Sequence, residues 1–202
     1  MEKLKLFGTV CISFMMCLLV ACSDSDFFKE EFEEIKFEQE EDGEWSLSDA
    51  KPVTKAEFEK NLVGNGWKWV ATREIDVNGK CSENDYYEDL IGIGPSKYYF
   101  GKDTYTEFFY FDAEPANCYR EQTYTYEEKD NTIQGSTYPF PFMKILSLDS
   151  NTLKVIEFMA FRGGENFTKI YGCSIYTKMT DEELEKCRKD YPINYKDIGR
   201  PK

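Results

Sequence analysis

Between Trp67 and Lys178 the chain breaks into short β-patterned runs separated by turn residues, and this rhythm restricts the fold more than anything else in the sequence. Trp67, Trp69, Ala71, Ile75 and Val77 alternate with Lys68, Thr72, Glu74 and Asp76, the period of two that marks a strand with one covered face. Further runs follow at Lys97–Gly101, Thr104–Asp112, Cys118–Glu128, Thr132–Gly135, Phe142–Asp149, Thr152–Arg162 and Asn166–Lys178. Asn78-Gly79, Gly101-Lys-Asp103, Pro115-Ala-Asn117, Asp130-Asn131, Asp149-Ser-Asn151 and Gly163-Gly164 punctuate them. Eight such strands in succession describe a mostly β, antiparallel eight-stranded meander that forms a sandwich or a barrel. Residues 81–96, with Gly92, Gly94 and Pro95, form the longest interruption.

Two helices bracket the strands. Thr54 and Glu57 make a capping box, and Phe58 and Leu62 share one face, so a short helix is expected over about 55–62. Thr180 and Glu183 repeat the box before a helix over 181–190, with Leu184, Cys187 and Tyr191 on one face and Pro192 as the stop. That face is expected on the exterior of the sheet, with Cys187 near the last strand.

The N-terminus reads as an address. Lys3 and Lys5 precede an apolar stretch of 16 residues from Leu6 to Ala21, shorter than the ~20 a helix needs to span a bilayer. Leu19-Val20-Ala21-Cys22 resembles the lipobox of bacterial lipoproteins. The resemblance implies that residues 1–21 are a signal peptide and that Cys22 is lipidated and becomes the first residue, so that the membrane is a partner through its lipid. Ser23-Asp24-Ser25-Asp26 resembles the export signal of surface lipoproteins in the Bacteroidetes, which implies an outer-membrane lipoprotein displayed at the cell surface.

Residues 22–52 are expected to form an acidic tether. Residues 22–51 hold 12 acids against 3 bases, whereas residues 52–202 hold 25 against 20. The formal net charge of -13 therefore describes mainly the tether and not the domain at 53–202. Within the tether, Ile35, Phe37, Trp45 and Leu47 would share a face of a hairpin over 35–47 with Gln39 opposite Trp45.

Composition removes several functions. The chain has no His, so no Ser-His-Asp triad, Cys-His pair or His metal ligand exists. Its acidic balance argues against nucleic acid as a partner. No P-loop, dinucleotide fingerprint, Gly-x-Ser-x-Gly or EF-hand occurs, and no cofactor or metal is expected. Outside the leader and Cys22 four cysteines remain, Cys81, Cys118, Cys173 and Cys187, with three ways to pair. Proximity in the chain favours Cys81–Cys118 and Cys173–Cys187, with a Cys118–Cys187 bridge or buried unbridged thiols as the alternatives.

One helix, eight meandering strands and a C-terminal helix resemble the lipocalin-like lipoproteins of the Bacteroidetes. Gly64-Asn65-Gly66-Trp67 approximates the Gly-x-Trp that opens that family's first strand. The resemblance implies a closed barrel, Trp67 at one end of it, and a small apolar or amphipathic ligand inside. Candidate ligand contacts are Tyr105, Phe109 and Tyr124 from the aromatic-rich stretch 97–126, together with two charges on otherwise apolar strand faces, Arg73 and Glu157. If both of these point inward they are expected to pair and line the pocket. A partner protein bound by the barrel exterior is the alternative function, and a glycan-processing enzyme built on paired acids is a third.

Overall fold

The computed structural model describes residues 32, 37–39, 45–46, 52–87, 95–113, 115–136, 142–162 and 168–198. The expected signal peptide, Cys22 and most of the expected tether, including Ile35 and Leu47, lie outside the described residues.

The elements run β1 (Glu38–Gln39), β2 (Trp45–Ser46), α1 (Lys55–Asn61), β3 (Asn65–Glu74), β4 (Lys97–Phe100), β5 (Thr104–Phe111), β6 (Ala116–Glu127), β7 (Thr132–Gly135), β8 (Met143–Leu148), β9 (Thr152–Arg162), β10 (Thr168–Lys178), α2 (Asp181–Asp190) and β11 (Ile193–Asn194). From β3 to β10 each strand pairs antiparallel with the next, and β10 pairs back onto β3. The result is a closed, up-and-down, eight-stranded antiparallel barrel with a helix at either end of the sequence, the lipocalin-like architecture. Closure leaves the meander without free edges. β11 adds a short parallel pairing to β6 at Cys118 and Tyr119, beyond the β6 residues 124–127 that reach β7.

One end of the barrel is plugged. The capping box forms at Thr54, whose hydroxyl accepts the Glu57 N–H while the Glu57 carboxylate accepts that of Thr54. α1 then turns Phe58 into the barrel mouth, where its ring stacks on Tyr126 with centroids 4.0 Å apart. Phe58, Leu62 and Trp67 are buried together with Phe100, Tyr124 and Leu153. Asn131 bolts the plug to the β6–β7 turn. It adopts a left-handed φ of 54°, and its side-chain oxygen accepts the Val53 N–H at 2.9 Å.

α2 lies outside the barrel. Its Leu184 and Cys187 pack on Phe108 of β5 and on Met179, with Tyr99, Tyr119 and Tyr191 around them. This corrects the expected position near the last strand: the chain turns from β10 across β4 and β5, and Lys68 holds Glu183 at 2.6 Å.

A second exterior cluster is covered by the N-terminal segment. Ala71, Ile75, Leu146, Ile156, Cys173 and Ile175 face outward and are buried beneath Phe32, Phe37 and Trp45. β1 and β2 pair with Gln39 opposite Trp45. The Phe37 N–H donates to the carbonyl of Gly79 at 2.8 Å. Gly79 has φ +74°, and a Cβ there would sit 2.0 Å from the Phe37 carbonyl oxygen. Replacing it strains the turn and pushes the hairpin away. Gly79→Ala is expected to lower stability by about 1–3 kcal/mol, measured by urea unfolding, and to speed proteolysis within 37–46. An unchanged midpoint and cleavage pattern would contradict the docking.

Candidate ligand site

Which residues reach the barrel interior is decided by one extra residue. β3 pairs with β10 as Trp69↔Tyr176 and then Ala71↔Ile175, so Val70 is a bulge. Trp67 and Trp69 face inward, but beyond the bulge the alternation shifts. Thr72 faces inward opposite Ser174, while Ala71, Arg73 and Ile75 face outward. Simple alternation from Trp69 assigns Arg73 to the same face as Trp69, and the bulge reverses this.

Arg73 and Glu157 therefore stand on opposite sides of the barrel wall, and their expected pairing does not form. Arg73 is buried on the outside, donating to the Glu83 carbonyl at 2.6 Å, with its guanidinium 5.6 Å from the centre of the Phe32 ring. Glu157 is buried on the inside, in register with Gly172 and Met143.

The inside pocket is a cavity of about 130 Å³ at the end opposite α1. Its aromatic walls come from Tyr87, Tyr98, Tyr105 and Phe142, with the Tyr105 and Phe142 rings stacked at 4.8 Å. Two acids face it, Glu107 from β5 and Glu157 from β9. Glu107 is paired: Arg120 Nε lies 2.6 Å from one oxygen and the Ser96 hydroxyl donates to the other at 2.8 Å. Arg120 also covers the Phe109 ring at 5.3 Å.

Glu157 is held differently. The Tyr176 hydroxyl lies 2.8 and 2.9 Å from its two oxygens, and the Ser174 hydroxyl donates to Oε1. Behind Ser174 the Thr72 hydroxyl sits at 2.7 Å, and the Trp69 indole N–H donates to it at 2.8 Å. The bulge thus builds a relay from indole through two hydroxyls to a carboxylate. Burial pushes the Glu157 carboxyl up to about 7, with the Ser174 and Tyr176 hydrogen bonds pulling the other way and the Glu107 charge adding to the rise. The Tyr98 and Tyr176 phenols are raised well above their ordinary range by burial.

Of the residues singled out in the sequence, Tyr105 and Glu157 line the cavity. Phe109 lies beside it, between Arg120 and the Tyr195 ring. Tyr124 belongs to the plugged end, where its hydroxyl donates to the Gly101 carbonyl at 2.8 Å and its ring lies 6.1 Å from that of Phe58. Glu107 and Arg120 were missed, although an acid inside the run Thr104–Phe111 is the same signal that marks Glu157.

No disulfide joins any two of Cys81, Cys118, Cys173 and Cys187. Proximity in the chain misplaces them because strand register and packing, not sequence distance, decide which side of the barrel wall each thiol takes. Cys81 and Cys173 belong to the exterior cluster under Phe37, whereas Cys187 is on the buried face of α2. Cys118 is opposite Phe109, on the other face of β6 from Tyr119. The structure instead sets the Cys173 thiol against that of Cys81, which together with burial raises its pKa. Among the described residues no group of three or more His, Cys, Asp or Glu is placed to hold a metal ion.

No family model matches the chain, and no curated protein does. Two solved structures of bovine odorant binding protein, one complexed with its natural ligand and one with undecanal, each match at 18% identity with a TM-score of 0.38. Each match covers 69% of this chain and 88% of the other. The barrel assignment rests on the chain's own strand order and closure.

The raised Glu157 carboxyl has a consequence for stability. Its ordinary value in the unfolded chain is 4.5, and in the fold it rises to about 7. Between these values the folded protein holds the extra proton, so this group's contribution to stability falls as pH rises through the window and is level above it. The stability of the wild type relative to Glu157→Gln is expected to fall by on the order of 3 kcal/mol between pH 4.5 and 8. Urea unfolding at the two pH values measures it, and a constant difference would refute the burial argument.

Proposed function

We propose that this protein is a lipid-anchored binding barrel that holds a small ligand in its interior, displayed from the outer membrane on an acidic tether. The observation that carries the binding reading is the interior cavity, walled by aromatic rings and furnished with a buried carboxylate whose hydrogen bonds are arranged from behind. A barrel selected only for stability fills such a space with apolar side chains, because a buried charge costs far more than a methyl group. At about 130 Å³ the cavity is close to the ~150 Å³ hollow that accepts benzene, so the ligand has the size of one ring or a short chain.

Glu107 and Glu157 bring two acids to one cavity, the residue types that the glycan-processing alternative calls for. The space between them argues against it. A sugar ring with its leaving group does not fit in about 130 Å³, and typical ligand pockets run to ~300–1,000 Å³.

Proton NMR with benzene as probe tests the binding reading. Saturable shifts of the Tyr98, Tyr105 and Phe142 ring signals are expected, and their absence up to the solubility limit of benzene would overturn it.

The anchor rests on the lipobox-like Leu19-Val20-Ala21-Cys22. Cells fed labelled palmitate are expected to transfer label to the protein and to lose that transfer in Cys22→Ser. Protease added to intact cells is expected to remove the barrel. An unlabelled wild type would refute the anchor, and a protected barrel would refute display at the surface.

A further inference from the structure

The charges around the cavity do not balance. Glu157 is faced by Thr72 of β3, Tyr98 of β4, Glu107 of β5, Arg120 of β6, Ser174 and Tyr176 of β10, and Tyr87 of the segment after β3. Arg120 is the one cation lining the cavity among the described residues, and Glu107 already holds it at 2.6 Å. Arg73, the base that sequence alternation would bring to Glu157, is outside the wall. An ionised Glu157 thus leaves the cavity with an excess negative charge in surroundings that solvate it poorly.

The hydrogen bonding of Glu157 is also one-sided. Its Oε1 accepts from Ser174, and the single Tyr176 hydroxyl proton is shared between Oε1 and Oε2. A carboxylate oxygen has two acceptor directions, so Oε2 retains one for a donor that enters the cavity. Around this point stand the rings of Tyr98, Tyr105 and Phe142. Their faces carry negative potential and attract cations, most strongly where water is excluded. An anionic ligand would meet two carboxylates in the same space.

We infer that the cavity takes a compact organic ammonium ion, a protonated amine on an apolar body of about one ring, with Glu157 as its counter-charge and the Tyr98, Tyr105 and Phe142 rings as its walls. This rests on the ligand-binding reading and names the ligand class for the same site. The ammonium donates to Glu157 and its body fills the remaining volume. Specificity over a neutral molecule of the same shape comes from charge, because the neutral molecule leaves the buried carboxylate uncompensated.

The same arrangement makes binding depend on pH. The phenols of Tyr98 and Tyr176 are raised well above the neutral range and stay uncharged. The ligand amine stays protonated between pH 5 and 8. Glu157 gains a proton as pH falls through about 7, so affinity is full above that value and declines about tenfold per unit below it.

Calorimetric titration of the purified protein with benzylamine, benzyl alcohol and benzoate tests the inference, since the three share one ring and differ in charge. At pH 8 benzylamine is expected to bind at least about tenfold tighter than benzyl alcohol, and benzoate weakest. At pH 5.5 the benzylamine affinity is expected to fall roughly thirtyfold while that of benzyl alcohol holds. In Glu157→Gln the two should bind within about twofold of each other at pH 8. Equal or tighter binding of benzyl alcohol or benzoate by the wild type at pH 8 overturns the ammonium assignment and leaves the binding barrel standing. So does a benzylamine preference that survives both at pH 5.5 and in the variant. If none of the three binds at millimolar concentration while benzene also fails to shift the ring signals, the ligand-binding reading falls with it. Should Glu157→Gln fail to fold, the pH comparison on the wild type decides.

Discussion

The β3–β10 ladder is the contact on which the rest of the molecule depends. Without it the meander is an open sheet with two long unpaired edges and no interior. Closure costs chain entropy, because it joins strands about a hundred residues apart, and the return is an inside that excludes water. The ladder also carries the bulge at Val70, where the faces exchange. On one side of that residue two tryptophans point inward. On the other, Thr72 points inward toward Ser174, and the apolar residues Ala71 and Ile75 point outward to receive Phe37 and Trp45. A single unpaired residue therefore supplies both the polar relay behind Glu157 and the apolar seat for the N-terminal hairpin.

The interior is packed at one end and hollow at the other, for different physical reasons. Beneath α1, Leu62, Trp67, Phe100 and Leu153 are fully buried, and Asn131 satisfies the backbone where the helix begins. Toward the other end, side chains that could fill the barrel are replaced by Ser96, Glu107, Arg120 and Glu157. Polar groups in an enclosed space are expensive unless each has partners, and here most of them do. Glu107 is answered by Arg120 and Ser96, while Glu157 is answered by hydroxyls only and keeps a raised pKa. Local rules of core packing are broken around Glu107 and Glu157, which is where a binding function is expected to show.

Local signals carried a good part of the fold. Each capping box announced its helix, because Thr54–Glu57 and Thr180–Glu183 act within four residues and need no distant partner. The strands were readable from alternation and turn residues, with ends displaced by a residue or two, as at Cys118, where the strand starts two residues earlier at Ala116. Within the site, Glu157 stood out as a charge among Val155, Met159 and other apolar neighbours, and Tyr105 as part of an aromatic strand. Arg73 gave an equal signal and lies on the opposite face. The two arginine and glutamate signals are indistinguishable in one dimension, since the bulge that separates them has no residue type of its own: Val70 is an ordinary strand residue.

The order of the barrel strands, the two capped helices and the acids within aromatic runs are legible in one dimension, because they depend on propensity, capping and turn chemistry acting over a few residues. Three features needed the folded chain: that Glu107 is paired and Glu157 is not, that Cys81 meets Cys173 and not Cys118, and that α2 covers β5 and not the last strand. Each of these depends on register across strands far apart in the chain. A shift of one residue turns every later side chain to the other face, and nothing local records where that shift occurs.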